Sequence, residues 1–197
     1  MKKILSLIFL GMFSLSVFAQ LSEADRMFAV KYLKVTHHDI VKTISELDDD
    51  AFNWQPADGG WSVSNCLEHI LLTEAAFHGM VQGGLENGEA NPEFDNSMAD
   101  GMLIGSMTDR GFQATTSANF EPSGKWAGKD EMLAALEESR MMLTEYLENT
   151  AHDLRHYSMT TPMAEVDAYQ IYLMVGAHSQ RHTTQMKEVI AEMQEAR

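Results

Sequence analysis

Asp167-Ala-Tyr-Gln-Ile-Tyr-Leu-Met-Val-Gly-Ala-His178-Ser-Gln-Arg-His182-Thr-Thr-Gln185 is the stretch on which the reading of the fold turns. Within and just beyond it, Ile171, Val175, His178, His182, Gln185 and Val189 follow one another at spacings of four, three, four, three and four. That period places them on one face of a helix. The stripe is apolar at its ends and polar in its middle, an inward face that carries something other than packing. The helix is expected to open near Ala164 or Glu165, after Pro162, and to run to about Gln194.

The same period recurs upstream. From Ser22 to Leu47, Phe28, Leu33, Ile40, Ile44 and Leu47 predict a first long helix, closed by Asp48-Asp49-Asp50. Phe52-Asn-Trp-Gln-Pro-Ala-Asp-Gly-Gly60 reads as a connection. A second helix is predicted from Trp61-Ser62, with Ser62 as its cap and Trp61 stapled onto its first turn, to about Gln82, where Gly83-Gly84 stop it. A third runs from about Asp130 to Asn149, with Leu133, Leu136, Arg140, Leu143 and Leu147 in one stripe. Four long helices without strand alternation or repeats give an all-α four-helix bundle with a long connection between its second and third helices. That connection, Gly83 to Gly128, is rich in Gly, Asn, Ser and Asp, with room for a short helix over Ser97 to Asp109, and is expected to lie beside a site as a lid.

The first nineteen residues differ from the rest. Lys2 and Lys3 precede an apolar run of 15 residues, Ile4 to Phe18, closed by Ala19. This is the pattern of a signal peptide, too short to span a bilayer. Residues 1–19 are therefore expected to be removed, leaving 20–197 as one domain exported to the periplasm or the extracellular space. Loss of Lys2 and Lys3 leaves 12 basic residues against 29 acidic ones, a mature net charge of −17. Such a surface repels phosphate backbones and argues against a nucleic acid partner. Cys66 is the only cysteine, so neither an internal disulfide nor a lipid anchor near the cleavage point is expected. Fifteen methionines point to an adaptable core.

Two imidazoles four residues apart project side by side, which suits chelation of one ion. The bland alternative is that His178 and His182 fill the core, one hydrogen-bonded and one reaching toward solvent. Two neutral imidazoles on a buried stripe would then carry an unrelieved desolvation cost. His69, beside Cys66, Ile70 and Thr73 on the second helix, is the candidate third ligand. Gln185 can touch the same face and orient a ligand. Arg140, central in its stripe, either pairs with a buried carboxylate or binds an anionic substrate group. His37 shares a face with Leu33, Ile40 and Ile44 and can reach the pocket. His152 and His156 form a competing pair in a polar link, whereas His78 and His38 are expected elsewhere. Glu68 and Glu74 point away on the helical wheel, so no carboxylate stands out as a base. Glu-x-x-His pairs and His-Glu-x-x-His are both missing from the sequence, which removes the carboxylate-bridged di-iron and zinc-protease readings.

Trp61-Ser-Val-Ser-Asn-Cys-Leu-Glu-His69-Ile and the Asp167–Gln185 stretch together resemble the two hallmark segments of the DinB-like, or YfiT-like, superfamily of metal-dependent hydrolases. The resemblance spans almost the whole mature chain. It implies a four-helix bundle with one divalent ion, most often zinc or nickel, held by His69, His178 and His182. Three nitrogen ligands leave a coordination position open to water or to a small-molecule substrate. The resemblance also brings a homodimer into consideration. Relatives include thiol-dependent transferases and isomerases, a chemistry that export argues against. Two functions follow: a metal-dependent hydrolase or transferase, and a non-catalytic metal- or ligand-binding bundle.

Overall fold

The computed structural model describes residues 20–111, 115–162 and 164–196; the expected signal peptide lies outside them. Among the described residues six α-helices follow in order: α1 (Glu23–Ile44), α2 (Asp49–Asn53), α3 (Val63–Asn87), α4 (Asp100–Thr108), α5 (Lys129–Asn149) and α6 (Ala168–Glu195). Two short strands, β1 (Ser158–Thr160) and β2 (Glu165–Asp167), pair antiparallel just before α6. No helix among the described residues is long and apolar enough to cross a membrane.

The long helices α1, α3, α5 and α6 make the bundle. α1 packs along α5 and α6, and α3 packs along the same two. Helices consecutive among these four, α1 with α3 and α5 with α6, therefore occupy opposite corners. This arrangement demands connections long enough to cross the end of the bundle, and both carry structure of their own: α2 in one, the β1–β2 hairpin in the other.

Capping residues explain the starts. Ser22 accepts from the Asp25 N–H and Glu23 and Asp25 lie in the first turn, favourable at the positive end of the helix dipole. Ser62 with Asn65 and Asp167 with Gln170 form reciprocal capping boxes on α3 and α6. α6 thus opens at Ala168, later than the Ala164–Glu165 expected, because residues 165–167 join the hairpin. Its inward edge buries Met159 against Val166.

Other boundaries also differ from the sequence reading. α1 ends at Ile44, before Leu47, and Asp48 accepts from the Ala51 N–H to start α2 rather than merely ending α1. Gly83-Gly84 do not stop α3, which continues to Asn87. At Gly84 a Cβ would lie 2.4 Å from the Met159 side chain, so the glycine seats the hairpin against the helix. On α1 the buried positions are Ala29, Val30, Leu33, Thr36, Ile40 and Ile44, whereas Phe28 is exposed and packs on Tyr32 at the surface.

The apolar core has two parts. One gathers Leu33, Val81, Leu143, Leu147, Tyr172 and Val175, with α4 contributing Leu103, Ile104 and Met107. The other gathers Ile40, Ile44, Phe52, Ile70, Leu136 and Met186. Between them along each helix come Thr36, Thr73 and Glu74, Arg140, and His178 and Ser179. The bundle is therefore crossed at mid-height by a polar layer, and the functional candidates sit in it.

Candidate metal centre

His69 on α3 faces His178 and His182 on α6. Their ligand atoms all lie within 4.8 Å of one another, the one such convergence of histidine, cysteine or carboxylate groups found among the described residues. Nε2 of His178 is 3.1 Å from Nε2 of His69 and 3.1 Å from Nε2 of His182. The four-residue step on α6 stacks its two rings 4.5 Å apart, nearly edge to face.

The opposite ring nitrogens determine which atoms carry hydrogen. Nδ1 of His69 lies 2.8 Å from the Phe120 carbonyl, which can only accept, so that nitrogen donates. Nδ1 of His182 likewise donates to Gln185 Oε1 at 2.9 Å. Thr73 Oγ1 gives its hydrogen to the carbonyls of His69 and Ile70, leaving it to accept from Nδ1 of His178 at 3.3 Å. Each imidazole is thus fixed with a bare Nε2 turned toward the other two.

Three lone pairs this close repel unless a cation lies among them. A proton is disfavoured. Burial holds His178 well below the usual histidine range, with His182, His69 and two arginines adding to the effect. His182 is pushed down to about 3 by burial and by His69, against the Gln185 bond that acts the other way. Burial also lowers His69, partly opposed by its bond to Phe120. Neutral imidazoles are the form that binds metals. Nitrogen ligands about 2.0–2.1 Å from a tetrahedral ion stand about 3.3 Å apart, close to the two 3.1 Å separations here.

Trp61 walls one side, with its ring 4.8 Å from His69 and 5.9 Å from His182. Phe77 meets the His178 ring edge-on at 6.1 Å. His69 and His182 are buried, and His178 retains partial contact with solvent. The described parts of the α4–α5 connection lie alongside. Its start reaches α6, where Arg110 contacts Gln185 and Glu188 and the Asp109 carbonyl accepts from Arg181. Its later part, residues 118–125, meets His69 and Glu68 on α3.

Other candidates lie elsewhere. Arg140 is buried and ion-paired with Glu74, and it also donates to the Leu33 carbonyl, Thr36 and Ser179. His37 is half-buried, 3.3 Å from Glu137. His78 meets the Tyr172 hydroxyl at 3.0 Å, His156 lies 3.4 Å from Asp153, and His152 packs on Tyr157. Glu68 and Glu74 are both 2 % exposed and turned inward, contrary to the helical-wheel expectation. Each has polar partners that a wheel centred on apolar residues ignores. Burial pushes Glu68 up, but the N–H groups of Ser123, Lys125 and Gly124 and the Ser123 hydroxyl outweigh it and leave the carboxyl below its ordinary range.

The sequence reading missed Thr73, Trp61 and Phe120 as parts of the site. Thr73 follows His69 by four residues and was open to detection on that spacing. Phe120 contributes a backbone carbonyl, for which no side-chain signal exists.

A helical bundle that turns three imidazole nitrogens toward one point has the donor arrangement of a histidine-lined centre that could hold a metal ion. The chain belongs to the DinB superfamily, whose family model matches residues 32–186. YfiT from Bacillus subtilis, described as a probable metal-dependent hydrolase with an unusual four-helix bundle topology, superposes with a TM-score of 0.58. The match covers 88 % of this chain and 90 % of that one at 14 % identity, a likeness of fold. No curated protein matches the chain.

Proposed function

We propose that the protein is a metal-dependent hydrolase or transferase, exported after removal of residues 1–19, in which His69, His178 and His182 hold one divalent ion. The observation that carries this reading is the convergence of three bare Nε2 atoms, each fixed by an acceptor on its Nδ1. The donor set fits: three neutral nitrogens suit zinc or nickel and leave room for a further ligand. Bound there, such an ion supplies Lewis acidity and a lowered pKa for a coordinated water. The chain's own residues orient the imidazoles, exclude competing solvent on the Trp61 side, and leave His178 as the approach for a small-molecule substrate.

Membership of the superfamily and the fold shared with YfiT support a hydrolase. A second reading, a binding bundle without turnover, is favoured by one observation. Glu68 and Glu74, the carboxylates flanking His69 in sequence, are both engaged in structural bonds and neither serves as a base.

Elemental analysis of protein purified without a polyhistidine tag tests the centre. One equivalent of zinc or nickel, lost in His178→Ala, is expected; substoichiometric metal unchanged by the substitution defeats the proposal. Metal-restored turnover in an ester, amide and thioether substrate screen separates the enzyme from the binding bundle.

A further inference from the structure

Glu68 precedes His69 on α3, and successive helix residues point about 100° apart. The two side chains therefore diverge, yet both end on the same short segment of the α4–α5 connection. Glu68 Oε1 accepts from the backbone N–H of Ser123 at 2.8 Å and of Lys125 at 3.1 Å and from the Ser123 hydroxyl at 3.1 Å. Oε2 accepts from the Gly124 N–H at 3.0 Å. Three backbone donors in a row form a concave anion seat, here filled by a side chain of the protein itself. Three residues upstream, the Phe120 carbonyl receives Nδ1–H of His69.

We propose that Glu68 is a positioning residue for the histidine centre: its carboxylate pins the strap 118–125 so that the Phe120 carbonyl holds His69 with Nε2 turned inward. Three residues of chain span at most about 10 Å, so fixing 123–125 leaves residue 120 little freedom. Without the strap, His69 loses the one acceptor that selects its tautomer, whereas His178 and His182 keep theirs on Thr73 and Gln185. A carboxylate buried to 2 % exposure has no other partner in this cluster to justify its charge. The inference rests on the metal-centre reading.

Two variants reach the strap by different routes. Glu68→Gln replaces an acceptor oxygen by an amide that faces N–H donors. Gly124→Ala leaves Glu68 intact but forces a side chain into φ +76°, where no neighbour lies within 4 Å of the added Cβ and backbone strain is the sole effect. Zinc affinity is measured by chelator competition, unfolding of the metal-free protein by urea, and the His69 Nδ1–H by nitrogen-15 NMR of the zinc-loaded protein. Expected in both variants are a dissociation constant raised about tenfold or more and a faster-exchanging His69 Nδ1–H, with the His182 signal unchanged. Wild-type affinity and exchange in the variants overturn the inference, as does a loss of metal-free stability with unchanged affinity, which marks Glu68 as structural only. A wild-type protein that binds no zinc overturns the metal-centre reading itself, a result distinct from either.

Discussion

Nη2 of Arg140 lies 2.5 Å from Oε1 of Glu74, with 3 % and 1 % of the two side chains exposed. This pair joins α5 to α3 across the polar layer, one residue beyond Thr73. It decides between the two roles open to Arg140, because a guanidinium enclosed by Glu74, Thr36, Ser179 and the Leu33 carbonyl is no longer available to a substrate anion. Removing one member leaves the other charged and buried, at a cost of about 3–5 kcal/mol. Arg140→Met and Glu74→Leu are each expected to lower the urea midpoint strongly. The double variant should be milder than their sum, as a double-mutant cycle will read.

The histidines dictate how the metal-free protein responds to acid. Their folded-state pKa values lie below the ordinary histidine value, His182 at about 3. Between about 6.5 and about 3, unfolding therefore takes up protons, so stability is full at neutral pH and is lost as pH falls through that window. Each buried histidine contributes a slope of about 1.4 kcal/mol per pH unit while it titrates in the unfolded chain alone. Urea denaturation at several pH values should show this slope, and His182→Gln should flatten it.

Arg155 predicts the opposite sign. It lies 2.9, 2.6 and 3.1 Å from Asp25, Asp100 and Asp167, and over the Tyr169 ring at 4.0 Å, tying α1, α4 and α6 together. Burial raises Asp167 to about 6 even though Arg155 draws it down. Its ionisation thus opposes folding as pH rises from its unfolded value toward 6. In Arg155→Met that restraint is gone, so the stability deficit should be greatest at neutral pH and shrink toward pH 5, measured by thermal unfolding.

Much of this was legible in the sequence because the signals were periodic. The 171-175-178-182-185-189 stripe marks one helix face, and the bundle and the closeness of His178 to His182 follow from it. The reading failed where tertiary contacts override local punctuation. Gly83-Gly84 looks like a stop, but α3 continues to Asn87 and the end of the Met159 side chain lies in the space that a Cβ at Gly84 would take, a contact made from 75 residues away. From Ala168 to Ala177 every residue of α6 is buried, the polar Gln170 included, because α4 covers the side that a single-stripe reading leaves to solvent.

Within the site, legibility divides by the kind of atom involved. Side chains at helical spacing, His178, His182 and Gln185, announce themselves. Glu68 escapes a helical wheel, which asks which face is apolar, because its partners are backbone N–H groups supplied by a connection whose path the sequence does not encode in any period. Arg140 is ambiguous in the sequence because its partner, Glu74, lies on another helix.

Gln185 and Thr73 are the remaining test of how the imidazoles are held. Each accepts from an Nδ1, one on His182 at 2.9 Å and one on His178 at 3.3 Å. Both contact the rings at Nδ1 rather than Nε2, so their loss leaves the three donors present. What changes is the freedom of each ring to rotate or to move its hydrogen onto Nε2, which would block the lone pair. Partners of this kind are worth about 10–100-fold in metal affinity. Gln185→Ala is expected toward the upper part of that range, since its bond is the shorter and better formed. Thr73→Val should weaken binding less, while Thr73→Ser, which keeps the hydroxyl, should stay within threefold of the parent, a margin of roughly 0.7 kcal/mol. Chelator competition on the zinc-loaded proteins measures all three, and equal affinities across the set would show that packing, not these two acceptors, orients the rings of His178 and His182.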